Sequence, residues 1–259
     1  MNEASRIPAP ARQPVVGVVG GMGPEATVEL MRRVIRATPA RDDADHIRMI
    51  VDNNPKVPSR IAALIEGTGE DPGPTLAAMA RGLEAAGADF LVIPCNTAHH
   101  YLPVVRAAVS IPVLDMIALT LDRFQSSGFG VRIVGLLASP AVRITALFES
   151  RCRSAGLSVI YPEGDHEAAV LEVIRAVKAG SVGDDLERRY VAAAERLLAR
   201  GADVLVIACT ELSSLDSLGA QGRVPVIDTL DVLVEATVAR CLADPVASVP
   251  SMASLDRSA

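Results

Sequence analysis

Gly87-Ala88-Asp89-Phe90-Leu91-Val92-Ile93-Pro94-Cys95 is echoed 114 positions later by Gly201-Ala202-Asp203-Val204-Leu205-Val206-Ile207-Ala208-Cys209. Each copy reads as a short, fully buried strand: a continuous apolar run that follows a glycine and ends in a cysteine at a polar turn. Two further pairs keep the same order. Val16-Gly17-Val18-Val19-Gly20 matches Val134-Gly135-Leu136-Leu137-Ala138 at an offset of 118, and Ile111-Pro112-Val113-Leu114-Asp115 matches Val224-Pro225-Val226-Ile227-Asp228 at 113. Chance likeness between hydrophobic strands explains one such pair. It does not explain three collinear pairs, two of which keep Cys or Pro-x-x-Asp in register. The period is too long for a solenoid, so the repeated unit is a domain.

Strand signals alternate with helical ones throughout, the pattern of a parallel α/β sheet. Val15–Val19 predicts a strand, Gly20–Gly23 a tight turn, and Pro24 the first turn of a helix running to Ala37. Strands follow at 48–52 and 90–93, and Pro- and Asn-rich 53–60 reads as irregular. Helices are expected at 75–86, capped by Gly87, and at 98–108, with a kink at Pro103. The second half repeats the plan: strands at 132–137, 158–161, 204–208 and 226–228, and helices at 141–155, 165–179, 184–200 and 230–242. The expected fold class is α/β, with two pseudo-twofold-related domains at 14–127 and 131–245. Each is a mostly parallel sheet flanked by helices, and the active site lies in the interdomain cleft. Residues 125–130 read as the linker, and the last helix is free to cross back onto the first domain.

Of 259 residues, half are apolar but only 3% aromatic, with no Trp. The core is therefore built from Ala, Val, Leu and Ile, and no platform for stacking single-stranded bases is available. A net charge of −6 without a basic run argues against a nucleic-acid partner. No apolar run is long enough to span a bilayer, and residues 1–14 lack the pattern of a secretory signal, so no membrane association and a cytoplasmic location are expected. Four cysteines, Cys95, Cys152, Cys209 and Cys241, show neither CxxC nor Cys/His metal spacing and read as free thiols, with no metal implied.

Cys95 and Cys209 fall just past the C-terminal ends of parallel strands, the edge at which α/β sheets bind ligands. Each is expected to precede a helix whose N-terminus favours a thiolate. For a single cysteine, packing is the usual explanation. A symmetric pair followed by polar residues points instead to two thiols facing one cleft. That arrangement suits removal of a proton from one face of a carbon and its return to the other. Asn96, Thr97 and Thr210 offer donors beside the thiols. Arg60 and Lys178 are candidate partners for a carboxylate. His99 and His100 follow the Cys95 turn, where one could tune a thiol or face solvent. Cys152 and Cys241 sit inside helical patterns and read as packing. Gly21-Met22-Gly23-Pro24-Glu25-Ala26 satisfies GxGxxA, but Pro24 removes a donor from the turn, which disfavours a dinucleotide.

Together, Gly20–Thr27, Asp52-Asn53-Asn54-Pro55, Pro94-Cys95-Asn96-Thr97-Ala98-His99 and Ala208-Cys209-Thr210-Glu211-Leu212 resemble the aspartate/glutamate racemase family, and most closely its aspartate racemases. The resemblance runs from Val15 to about Ala239. It implies a cofactor-independent enzyme that inverts the α-carbon of an acidic amino acid, with the site between two similar domains, usually in a homodimer. Carried over, Cys95 and Cys209 are the two catalytic thiols. Arg60, preceded here by Ser59 where the family often has Asp, binds the side-chain carboxylate. Lys178 helps bind substrate, and Met22, Asn96, Thr97 and Thr210 contact the amino-acid head group. Alternatives are a maleate isomerase-like enzyme of the same architecture, a non-catalytic small-acid binder, and a nucleotide-binding module.

Overall fold

The computed structural model describes residues 12–126, 130–180, 183–215 and 224–243. The first half contains β1 (Val16–Gly20), α1 (Pro24–Ala37), β2 (Met49–Asn53), α2 (Gly73–Ala85), β3 (Phe90–Val92), α3 (Leu102–Ala108) and α4 (Met116–Ser126). The second contains β4 (Ile133–Ala138), α5 (Pro140–Ile144), α6 (Glu149–Ser154), β5 (Ser158–Ile160), α7 (Asp165–Lys178), α8 (Asp184–Ala199), β6 (Val204–Ala208), β7 (Val226–Asp228) and α9 (Thr229–Leu242).

Two separate parallel sheets result, with strand orders β2-β1-β3 and β5-β4-β6-β7. A single parallel bridge from Leu91 to Val113 stands in the first sheet where β7 stands in the second. The repeat read from the sequence is therefore a repeat in register. Val16 lies opposite Phe90 and Val134 opposite Val204, while Leu91 meets Val113 and Leu205 meets Val226.

The paired glycines of β1 and β4 have a packing reason. A Cβ on Gly17 would lie 2.5 Å from Leu91 and 2.9 Å from Ala88; on Gly135 it would lie 3.0 Å from Leu205 and 3.0 Å from Ala202. The same residue pairs close over the strand in each half. The aspartates after each cysteine strand's leading glycine are equivalent too: Asp89 accepts from the Val15 N–H at 2.6 Å, and Asp203 from the Ile133 N–H at 2.9 Å.

Sheet cover is exchanged between the halves. Ile117, Leu121 and Phe124 of α4 pack with Val134, Leu136, Val204 and Val206 of the second sheet. Leu230, Leu233, Val234 and Cys241 of α9 pack with Val16, Val18, Phe90 and Val92 of the first. Each exchanged helix begins at the Asp of a Pro-x-x-Asp repeat. Asp115 Oδ1 accepts from the Ile117 and Ala118 N–H groups at 3.1 Å, and Asp228 Oδ1 accepts from Leu230 N–H at 2.8 Å. Each also holds an arginine of the half that its helix crosses onto. Arg33 Nη1 lies 2.7 Å from Asp228, and Arg151 Nη1 lies 2.8 Å from Asp115. The two arginines are 118 positions apart, the offset of β1 and β4.

Three sequence expectations change. The helix expected over 141–155 is two, because Ala146 adopts φ 49° and closes α5 with Leu147 N–H to Val142 O (3.2 Å) and Ala146 N–H to Arg143 O (3.0 Å). This paired-bond ending normally uses glycine. Pro103 does not kink a helix. It sits in the first turn of α3, preceded by a 3-10 turn at Thr97–Tyr101, so its missing N–H leaves no bond unmade. Of the linker read at 125–130, Gln125 and Ser126 end α4, whereas residues 127–129 lie outside the described residues.

Candidate active site

The C-terminal ends of β3 and β6 meet the loop after β1 around a cavity of about 440 Å³ between the halves. Cys95, Cys209, Arg60 and Lys178 line it, as do Met22, Asn96, Thr97 and Thr210. The two cysteines and the six substrate-contact candidates thus reach one cavity, whereas His99 and His100 do not line it.

Its floor is made by hydrogen bonds that cross between the halves. Thr210 Oγ1 donates to Pro94 O at 3.0 Å. Asn96 Nδ2 donates to Thr229 Oγ1 at 2.8 Å, which in turn donates to Ile207 O at 3.0 Å. Thr97 Oγ1 and Ser139 Oγ are 3.2 Å apart. The Gly23 N–H donates to Glu211 Oε1 at 3.2 Å. Both cysteine loops are therefore held by the opposite half, and the spacing of the thiols depends on the packing of the two halves.

The glycine turn is closed on itself. Gly21 N–H donates to Thr27 Oγ1 at 2.8 Å, Gly23 N–H is taken by Glu211, and Pro24 has none to offer. A Cβ on Gly21 would lie 2.3 Å from the Asn54 backbone, so this glycine admits the loop after β2. With the Gly21 and Gly23 N–H groups engaged and none on Pro24, the turn has fewer free donors than a pyrophosphate cradle uses. Among the described residues no cluster of three His, Cys, Asp or Glu side chains could hold a metal.

Glu211 is the site residue that sequence reading did not single out. It is buried, and its Oε2 accepts from Cys209 Sγ at 3.0 Å while Oε1 is ion-paired with Lys178. Burial first, and Glu211 second, push the Cys209 thiol well above its ordinary pKa; Lys178 opposes them. Burial alone would lower Lys178, but Glu211 and the neighbouring thiols outweigh it and hold the ammonium charged. The expected helix dipole at Cys209 does not arise. Among the described residues a three-residue 3-10 turn follows, Leu212–Ser214, too short to align peptide dipoles. The cation beside Cys209 is a side chain from α7 instead. The signal for Glu211 was its position two residues past Cys209, which alone does not distinguish a buried acid from a surface one.

Arg60 stands differently. Its Nη1 donates to Pro58 O at 3.0 Å and Val57 O at 3.4 Å, which fixes the guanidinium, and no ion pair engages it among the described residues. Its Nε is buried without a hydrogen-bond partner, as is Asn96 Oδ1. His99 neither faces solvent nor touches a thiol. Its Nδ1 lies 2.9 Å from Cys95 O and its Nε2 accepts from Met116 N–H at 3.0 Å. This pair of bonds holds one neutral tautomer, in which Nδ1 donates. Burial lowers its pKa. His100 is exposed.

The Asp/Glu/Hydantoin racemase family matches residues 19–237. This chain belongs to that family. Its relatives include the broad specificity amino-acid racemase RacX of Bacillus subtilis, 27% identical over 88% of this chain and 99% of that one. Among solved structures it is similar to the Picrophilus torridus aspartate racemase, with a TM-score of 0.74 and 29% identity over 88% of this chain and 93% of the other. The glutamate racemase of Francisella tularensis, solved with D-glutamate, shares the fold at a TM-score of 0.60 and 18% identity, over 88% of this chain and 80% of that one. In this family member Cys152 and Cys241 lie in the two sheet cores, where burial raises both thiols to about 11. They pack and are inert at neutral pH.

Proposed function

We propose that this protein racemises an acidic amino acid, aspartate above all, without a cofactor and through Cys95 and Cys209 acting as two bases. The observation that carries the reading is the placement of both cysteines on one cavity, each at the end of a strand in a different half. A thiolate on one side takes the α-proton, and a thiol on the other returns a proton to the opposite face. The roles exchange for the other enantiomer. Charge developing on the substrate α-carboxylate is met by donors of the Asn96-Thr97 and Thr210 loops, with Met22 lining the same cavity.

Arg60 meets the side-chain carboxylate. Its guanidinium is pre-set by two backbone carbonyls, and its unpartnered Nε gains an acceptor on binding. Lys178 balances the second carboxylate while remaining bound to Glu211. A homodimer is part of this reading, as in the resemblance.

A second reading, a broader amino-acid range, is favoured by one observation. Lys178 is already matched by Glu211, so Arg60 is the cavity's unpaired cation among the described residues. Proton NMR of the protein with L- and then D-aspartate in D₂O under reducing conditions tests both readings. Loss of the α-proton signal, with the opposite enantiomer appearing by chiral chromatography, supports racemisation. The same run with glutamate and with neutral and basic amino acids sets the range. No exchange with any amino acid sinks the reading, and maleate becomes the next substrate.

A further inference from the structure

The internal repeat maps Asn96 onto Thr210 and Thr97 onto Glu211, at the offset of the two cysteines. Thr97 and Glu211 make equivalent contacts, each reaching the loop after the other half's first strand, at Ser139 and Gly23 respectively. Their chemistry differs: one is a hydroxyl, the other a buried carboxylate. Gly23 N–H and Lys178 both engage Oε1 of Glu211, which turns Oε2 onto the Cys209 sulfur at 3.0 Å. No carboxylate hydrogen-bonds the Cys95 thiol among the described residues. The site is symmetric in its thiols and asymmetric in what serves them.

We propose that Glu211 is the proton acceptor and donor for Cys209 alone, whereas Cys95 exchanges its proton directly with the cavity. The proposal rests on the racemase reading above. When Cys209 acts as base, its S–H bond breaks toward Oε2, an O–H bond forms on Glu211, and the sulfur pair takes the substrate α-proton. Cys95 gives its proton to the opposite face. The proton left on Glu211 equals the one lost by Cys95, so its return through the cavity restores the site. In the reverse sense Cys95 first gives its proton through the cavity to Glu211 and takes the α-proton, Cys209 delivers its proton to carbon, and the neutral Glu211 then replaces it. The groups facing Cys209 are Glu211, Lys178, Cys95 and Tyr190. Of these, Glu211 is the acid hydrogen-bonded to the sulfur.

The intact enzyme hides this asymmetry. Enantiomers have equal free energy, so kcat/KM must fall equally in both directions whatever Glu211 does. Single-thiol variants expose it. Cys95→Ser leaves Cys209, Cys209→Ser leaves Cys95, and each is expected to exchange the α-proton of one aspartate enantiomer in D₂O without racemising it. If neither exchanges while the intact protein also fails to, the racemase reading has failed and Glu211 is not at issue.

Glu211→Gln is then added to each variant. It keeps an acceptor for Gly23 and removes the acid. Cys209-driven exchange is expected to fall about 100-fold, the lower range for a positioned acid–base group. It should recover as pH rises, because hydroxide can then ionise the thiol. Cys95-driven exchange should fall at least tenfold less. An equal fall in both backgrounds without recovery at high pH would make Glu211 a prop for the cleft and overturn the proposal. Undiminished Cys209-driven exchange would overturn it too. Glu211→Asp, which keeps a carboxylate, is the second variant should the glutamine protein not fold; exchange through Cys209 lost there without recovery at high pH would likewise overturn it.

Discussion

His99 ties the Cys95 loop to pH. Folding buries it as the neutral tautomer, bonded to Cys95 O and to Met116 N–H, and burial lowers its pKa. The unfolded chain, with an ordinary histidine near 6.5, therefore binds more protons as pH falls through that value. Stability is full above about 6.5 and is lost below it, at up to about 1.4 kcal/mol per pH unit. Urea unfolding at pH 7.5 and 5.5 should show this slope, and His99→Gln should flatten it. An unchanged slope would mean that His99 takes up its proton in the fold as readily as in the unfolded chain. Arg60 makes a different kind of residue-scale prediction. Arg60→Lys keeps the charge but loses the planar fork held by Val57 and Pro58, and should raise KM for aspartate about tenfold or more with a smaller change in kcat. Initial rates in a coupled assay check this; an equal loss of KM and kcat effects with glutamate and alanine would show that Arg60 is not reading the side chain. At this scale much of the candidate site was legible, because Cys95 and Cys209 recur at one place in the repeat and Arg60 and Lys178 match the family pattern. Glu211 was not. A glutamate is ordinarily solvated, and only the approach of Gly23, Lys178 and the Cys209 sulfur from three distant segments makes this one a buried acceptor.

Elements begin and end where local chemistry tells them to, with one informative strain. Ala146 carries φ 49° at the end of α5, a conformation that costs an L-residue about 1 kcal/mol relative to glycine. Ala146→Gly should raise stability by about that amount, or somewhat less because glycine is freer in the unfolded chain. A lowered midpoint in denaturant would refute the assignment. The break itself was invisible in sequence, since Ala146 is a good helix former and an unbroken helix over 141–155 was the natural reading. It exists because Phe148 and Cys152 must turn into the second sheet's core, which a straight continuation of α5 would not allow. The ending at Gly87 was legible for the opposite reason: glycine in that place has a local cause, its φ of 94°.

Across the whole molecule, the exchanged helices decide how the halves relate. Arg33 and Asp228 are 17% and 10% exposed, whereas Arg151 is 37% exposed against 10% for Asp115. Arg33→Met strands a buried aspartate and should cost about 3 kcal/mol. Arg151→Met leaves an equally buried aspartate, but the lost arginine is the more exposed partner and Arg106 still stands 3.9 Å from Asp115, so it should cost about 1 kcal/mol. Denaturant unfolding of the two variants tests the ranking; equal costs would show that burial does not govern these pairs. A chain ending at Ser126 should not fold on its own. It lacks α9, so Val16, Val18, Phe90 and Val92 of the first sheet lose their cover, while the apolar face of α4 has no second sheet to meet. A dispersed two-dimensional NMR spectrum of that fragment would contradict the exchange.

By itself the sequence determined the duplication, the parallel α/β class, the two thiols and the family, because each is written in local patterns: apolar runs, glycine stops and a cysteine at the same place twice. Only the tertiary structure decided which helix covers which sheet, that the Cys209 thiol meets Glu211 and Lys178, and that the surroundings of the two thiols are unequal. Those outcomes depend on contacts between segments far apart in the chain. Their strength comes from burial, and burial is a property of the packed molecule that no short stretch of sequence carries.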